Sequence, residues 1–224
     1  MEVILIFISW LGNSSFLIKT SLGKRILIDP INKFHSCNLT DSTPNIITLS
    51  SENFRFNCFS LSNKNIPIIS NPGKYEKDNL FIEGFSSYSD NLQGLKRGNN
   101  LIFLYKIDNL TLCHLGYLGH MLSPSILSKI KDCDILFLPI GGNITLDGKV
   151  AYKLAKLINP KIIIPMNYKF NPYSFLFKGP EQYLLLTKNS QKIKEESFLI
   201  NSSTLPSSFL NTILLSPLSN LNII

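Results

Sequence analysis

The stretch Pro44–Cys58, PNIITLSSENFRFNC, is where this sequence best combines a scaffold with reactive side chains. An apolar run, Ile46-Ile47-Thr48-Leu49, opens into the polar loop Ser50-Ser51-Glu52-Asn53-Phe54-Arg55-Phe56-Asn57. Strands that end in such loops are where enzymes commonly hold ligands and bases. This loop carries no histidine and no aspartate. Its hydroxyls and amides are poor zinc donors beside imidazole, thiolate or carboxylate. Arg55 stays protonated and repels a divalent cation, whereas it suits a phosphate or a carboxylate. The chain's three histidines are His35, His114 and His120. His114 and His120 flank Tyr117 in HLGYLGH, and His35 shares one side of an extended segment with Cys37. Packing and hydrogen bonding are the expected tasks of all three; a mononuclear metal on His114, His120 and a cysteine is the competing one. There is no GxSxG elbow and no Walker-type phosphate loop, so serine hydrolase and nucleotide hydrolase readings lack support.

The elements that must position these groups change character along the chain. FLIKTSLGKRILID places two β-rich runs around Ser21-Leu22-Gly23, and similar hairpin signals surround Asp78-Asn79 and Asp108-Asn109. SPSILSKIKDC opens a helix with Ser123 as N-cap and Pro124 at the first helical position. DILFLPI reads as a strand buried on both faces. GGNITLDGKVAYKLAKLINP predicts a helix with Val150, Leu154 and Leu157 on one face, with Gly141-Gly142 as a permissive turn before it. KIIIPM is a further buried strand, ended by Pro165, and GPEQYLLLTKNSQKI a further helix starting near Pro180. Hairpins first and alternating helix and strand afterwards predict an α/β or α+β layered sandwich in one domain over residues 1–224.

Composition sets the outer bounds. A length of 224 residues, 44% hydrophobic and 17% charged, is a globular chain with a substantial core. Four cysteines, Cys37, Cys58, Cys113 and Cys133, lie far apart with no CxxC pair, which fits reduced thiols in the cytoplasm. The net charge of +7 favours acidic partners, yet Lys188, Lys192 and Lys194 are followed at once by Glu195 and Glu196. Nucleic acid is therefore not the expected partner, and an aromatic-and-basic stripe is lacking. The apolar N-terminus carries Glu2 where a signal peptide needs positive charge. The C-terminal LPSSFLNTILLSPLSNLNII is broken by Pro, Ser and Asn, so no membrane segment is expected. Oligomeric state is open, and a homo-oligomer is compatible with the sequence.

Seven stretches in order resemble the metallo-β-lactamase superfamily, in particular its bacterial Zn-dependent hydrolase branch similar to ascorbate-6-phosphate lactonases: WLGNSSFLIKT, RILIDP, PNIITLSSENFRFN, NPGKY, IEGFSSYSDNLQGLKRGNNLIF, CHLGYLGHMLSP and ILFLPIGGNITLDGKVAYKLAKLINPKIIIPMNYK. They span roughly Trp10 to Lys169. The resemblance implies a four-layer αβ/βα sandwich, with residues 170–224 adding a helix and strand. It also implies two Zn or Mn ions roughly 3.5–4 Å apart at the sheet edge, activating a hydroxide. The ligand positions that it implies fall on other residues here. The His-x-His-x-Asp-His motif falls on Ser51, Asn53, Arg55 and Phe56; later ligands fall on Ser89, on Tyr117 in place of the bridging aspartate, and on Asn167; an early histidine falls on Asn13. Asp29, Asp90 and Arg97 match positions that support the site, as do His114 and His120. The resulting expectation is a degenerate member without metal or other cofactor and without catalytic residues. Its cleft of Ser51, Asn53, Arg55, Ser89, Tyr117 and Asn167 would hold a small polar or anionic molecule, unless the protein acts through a protein partner. A metal-dependent hydrolase of a small ester, lactone or phosphorylated metabolite, using relocated ligands, is the alternative.

Overall fold

A computed structural model describes residues 4–31, 43–54, 66–77, 80–172 and 174–218. Its frame is two facing mixed sheets. In the first, β1 (Ile6–Gly12), β2 (Ser15–Lys19) and β3 (Arg25–Ile28) form an antiparallel meander. To this β4 (Ile46–Thr48) and β5 (Ile68–Ile69) add in parallel, and β13 (Phe198–Ile200) pairs with the free side of β1. The second sheet has eight strands. Its antiparallel half is β6 (Gly73–Lys77), β7 (Leu80–Tyr88), β8 (Asn99–Ile107) and β9 (Leu110–His114). Its parallel half is β10 (Ile135–Pro139), β11 (Ile162–Met166), β14 (Asn211–Leu214) and β12 (Ser190–Lys192).

Turn chemistry explains the meanders. The β2–β3 turn closes through Gly23 N–H donating to Thr20 O, with Gly23 at φ +75°. Asp108 and Asn109 both take positive φ, 51° and 64°, the pairing that a two-residue hairpin between β8 and β9 demands. The strands on either side of Asp78-Asn79 pair as expected, while those two residues lie outside the described ones.

Burial drives the sheets together. Every residue of β10 and β11 is buried, because parallel strands in the sheet centre are covered on both faces. Phe16 of the first sheet meets Phe137 of the second at 4.5 Å between ring centroids. Fully burying an aromatic side chain of that size contributes about 1.5–3 kcal/mol. A polar tie also crosses the interface: the hydroxyls of Thr48 and Tyr105 lie 2.7 Å apart.

The helices stand beside the eight-stranded sheet. The first, α1 (Pro124–Ile130), starts as the sequence predicts, with Ser123 Oγ accepting from Ile126 N–H. The second, α2 (Gly148–Ile158), is capped by Asp147 and packs against α1, against β10 and against α3 (Glu181–Leu184). The described helices thus form one outer layer; a second helical layer is not among the described residues.

Three predicted details are corrected. The buried face of α2 is Ala151, Leu154, Ala155 and Ile158, and Leu157 is 51% exposed. Two alanines let the helix approach β10 closely and rotate its contact line away from Leu157. Pro165 does not end β11, which continues to Met166. Ile162 donates to Asp134 O and Met166 accepts from Ile140, so even-numbered residues face β10 and Pro165 faces β14. There β14 pairs only with Ile162 and Ile163, and a missing N–H costs no ladder bond. The helix after Pro180 is only four residues long, because Leu185 and Leu186 are left exposed with no surface to cover, and Ser190–Lys192 becomes a strand. Beyond residue 170 the described residues add one short helix and three short strands. No helix among the described residues is long and apolar enough to cross a membrane.

Candidate functional site

Three strands of the fold, β1, β3 and β11, end at residues with left-handed backbone: Asn13 (φ 48°), Asp29 (φ 44°) and Asn167 (φ 52°). Non-glycine residues adopt this region sparingly, and such positions cluster where a chain turns sharply to build a site. Asn13 O accepts from Trp10 Nε1 at 3.0 Å and from Asn167 N at 3.2 Å, which binds the two sheets together at this edge.

Asp29 is fully buried, and both its oxygens are engaged by Ser50: Oδ1 accepts the amide and Oδ2 the hydroxyl, each at 2.6 Å. Burial pushes its carboxyl from the ordinary 3.8 up to about 7, with Ser50 and Ser14 pulling the other way. Ser14 lies close enough to Asp29 and to the Tyr117 hydroxyl to stabilise both anions, though its Oγ makes no hydrogen bond of regular geometry. Asn100 sets the next position. Its Nδ2 donates to Ser87 Oγ (2.8 Å) and Leu115 O (2.9 Å), and its Oδ1 accepts Tyr117 N–H (2.8 Å). The ring of Tyr117 then packs between Phe54 and Phe177, at centroid distances of 5.5 and 6.3 Å.

His114 is buried between Phe16 and Phe137. Its Nδ1 accepts Gly116 N–H at 3.2 Å, so Nε2 carries the proton and donates to Ser14 O at 2.9 Å. Burial lowers its pKa to about 4, which keeps the ring neutral. His120 accepts Tyr88 N–H at Nε2 and donates from Nδ1 to Met121 O. Both histidines have the hydrogen-bonded, packed placement expected of them. Asp90 is buried and wrapped by the amides of its own loop. Burial raises its pKa, but amides of Arg97, Leu92, Gly94 and Lys96 outweigh that and hold it at about 2. Arg97 follows on that loop, its Nε donating to Ser89 O at 2.7 Å.

Above this layer lies a cavity of about 300 Å³, lined by Ser51, Asn53, Phe54, Ser89, Arg97, Tyr117 and Ile144. Ser51, Asn53, Ser89 and Tyr117 therefore do meet at one cleft. Asn167 does not join them: it is fully buried, its Nδ2 donating to Gly116 O at 3.3 Å. Asn13 contributes its backbone, while Arg55, Phe56, His35, Cys37 and Cys58 lie outside the described residues. The exposed wall of this cavity is mostly apolar, with Phe54 and Ile144 beside the hydrogen-bonding groups that the sequence points to. Phe54, Ile144 and Asn100 were not anticipated. Asn100 was within reach, one residue past the Arg97-Gly98-Asn99 turn. A larger cavity of about 530 Å³ adjoins, lined by serines and asparagines and sharing Ser51, Asn53 and Arg97 with the first.

The donors among the described residues do not fit a metal pair. No three His, Cys, Asp or Glu side chains come together among the described residues. Asp29 accepts two hydrogen bonds from Ser50, and the one lone pair of the neutral His114 ring is taken by Gly116 N–H.

A profile of the beta-lactamase superfamily domain matches residues 7–167. A metal-dependent hydrolase of Methanosarcina barkeri is 25% identical over 206 residues, covering 79% of this chain and 88% of that one. A Carboxydothermus hydrogenoformans protein of the same description is 43% identical over 75 residues, and the match spans 33% of its length. A Thermotoga maritima structure described as a Zn-dependent hydrolase of the metallo-beta-lactamase superfamily superposes with a TM-score of 0.71 at 24% identity, covering 94% of this chain and 98% of that one. With its two facing mixed sheets and a profile match over most of its length, this chain belongs to the metallo-β-lactamase superfamily.

Proposed function

We propose that this chain is a non-hydrolytic member of its superfamily, whose cleft binds a small anionic molecule without cleaving it. The observation that carries this reading is Tyr117. The resemblance puts a metal-bridging aspartate at that position; here Tyr117 stands there, its backbone N–H donating to Asn100 Oδ1 and its ring packed against Phe54 and Phe177. A phenol at neutral pH is a protonated, weak donor, and burial next to Asp29 pushes this one further from ionising. Arg97 supports an anionic ligand: it lines the cleft and makes no ion pair among the described residues.

Metal content is the decisive test. The protein, purified without chelator, is to be incubated with excess zinc and then manganese, desalted and analysed for metal. Clearly sub-stoichiometric metal in both samples is expected. One or more equivalents, together with hydrolysis of phosphate or carboxylate esters, would establish the second reading, a metal-dependent hydrolase using relocated ligands. The names borne by the relatives favour that second reading.

A further inference from the structure

We infer that the ligand of this cleft is an amphipathic anion: a flat apolar body in the smaller cavity and a phosphate or carboxylate head on Arg97. The inference rests on the anion-binding reading above and adds the ligand's shape to it. Three observations carry it. The smaller cavity, about 300 Å³, has a mostly apolar wall formed by Phe54, Tyr117 and Ile144, and it sits at the lower end of ligand-pocket sizes. A purely polar ligand would leave that wall facing water and gain nothing from it. Second, Arg97 lines both cavities and so stands where they meet. Its Nε is fixed on Ser89 O and its backbone on Asp90, which orients the group before any ligand arrives. Third, Glu52 lines only the larger cavity, where its charge disfavours an anionic head. The head is thereby confined to the seam, and the larger cavity is left to hydroxyl or amide groups of the ligand.

The test is a calorimetric series on the protein as purified, with phenyl phosphate, phenylacetate, inorganic phosphate, acetate and benzyl alcohol as probes. At least one of the aryl anions is expected to bind about tenfold or more tightly than its ring-less counterpart and than benzyl alcohol, the gain of burying one ring. The two aryl anions against each other tell a phosphate head from a carboxylate. Ile144→Trp, which fills the cavity from its rim, should abolish the advantage of the ring and leave inorganic phosphate binding as it was. Arg97→Lys should weaken every anion and leave benzyl alcohol unchanged, and Glu52→Gln should tighten the anions. If inorganic phosphate or acetate binds as tightly as its aryl counterpart, the apolar body is refuted while the anion-binding reading stands. If benzyl alcohol matches the aryl anions, or no anion binds at all, both fail.

Discussion

Two layers of the same site obey different rules. The lower layer, made of Asp29, Ser50, Asn100, His114 and Asn167, is buried, and named bonds hold its polar atoms apart from Asn167 Oδ1; His114 to Ser14 O is the bond that crosses between the sheets. The upper layer, Ser51, Asn53 and Tyr117, faces the cavity, and the only bond within it among the described residues is Asn53 N–H to Ser51 Oγ at 3.4 Å. A buried polar group without its partner costs about 1–3 kcal/mol, so the lower layer is bound to the fold's stability. The upper layer lines the cavity and carries less of the fold's polar bonding. Its side chains are therefore the ones that can be replaced with the smaller loss of stability.

The sharpest break in that contrast comes from glycine. Gly116 has φ +60°, and an added Cβ would collide with Asn100 Oδ1 and lie 2.6 Å from Ser50 Cβ. Both neighbours are pinned, so neither can give way. Gly116→Ala should cost about 4 kcal/mol or more in chemical denaturation, or leave no soluble protein. Asn100→Ala should cost about 3 kcal/mol, because three partners lose their bond in a dry environment. Ser50→Ala, which strips one of two bonds from a buried carboxyl, should cost about 2 kcal/mol. Losses below about 0.5 kcal/mol in all three would remove the distinction between the layers.

Acidity sharpens the comparison inside the lower layer. Asp29 in the folded state titrates at about 7 against an ordinary 3.8, so folding favours its protonated form. Its contribution is fully present below about pH 4 and is lost as pH rises through 7. His114 titrates at about 4 against an ordinary 6.5, so folding favours its neutral form. Its contribution is present above about pH 6.5 and is lost as pH falls through 4. Between those limits the slopes oppose and nearly cancel. Asp29→Asn keeps an acceptor for the Ser50 amide and deletes one slope only. Its stability should fall on acidification from about pH 6.5 to 4 by up to about 1.4 kcal/mol per pH unit, where the parent chain stays nearly level. Urea titrations at several pH values read this directly; matching curves for the two proteins would show that Asp29 is not the balancing group.

The two layers also differ in how much of them the sequence displays. Hairpin turns at Gly23 and Asp108-Asn109, the cap at Ser123 and the buried run of β10 are local signals, and each sits where it was expected. The length of the helix after Pro180 and the rotation of α2 depend on what lies opposite them, which local pattern does not encode. In the site, Ser51, Asn53, Ser89 and Tyr117 were legible because a resemblance assigns them positions, and they do share a cavity. Asn167 belongs to the same set yet is turned under Gly116, since its left-handed backbone and the approach of Gly141 to its carbonyl fix where the side chain points. The apolar character of the cleft was not legible. It arises from Phe54 and Ile144, which are ordinary hydrophobic residues until the fold brings them beside Tyr117.

The smallest expected effect is the most discriminating, because it concerns a residue adjacent to one with a large effect. Ser50 and Ser51 are the same amino acid in consecutive positions of the bend that follows β4. Ser50 reaches Asp29 in the lower layer, while Ser51 lines the cavity. Among the described residues Ser51 Oγ accepts only from Asn53 N–H, at 3.4 Å, a long bond that water can replace. Ser51→Ala should therefore change stability by less than about 0.5 kcal/mol and leave the urea midpoint where it was. A loss for Ser51→Ala as large as that for Ser50→Ala would mean that the loop is held from the cavity side as well. The upper layer would then be structural, and replacing its side chains could not leave the scaffold indifferent.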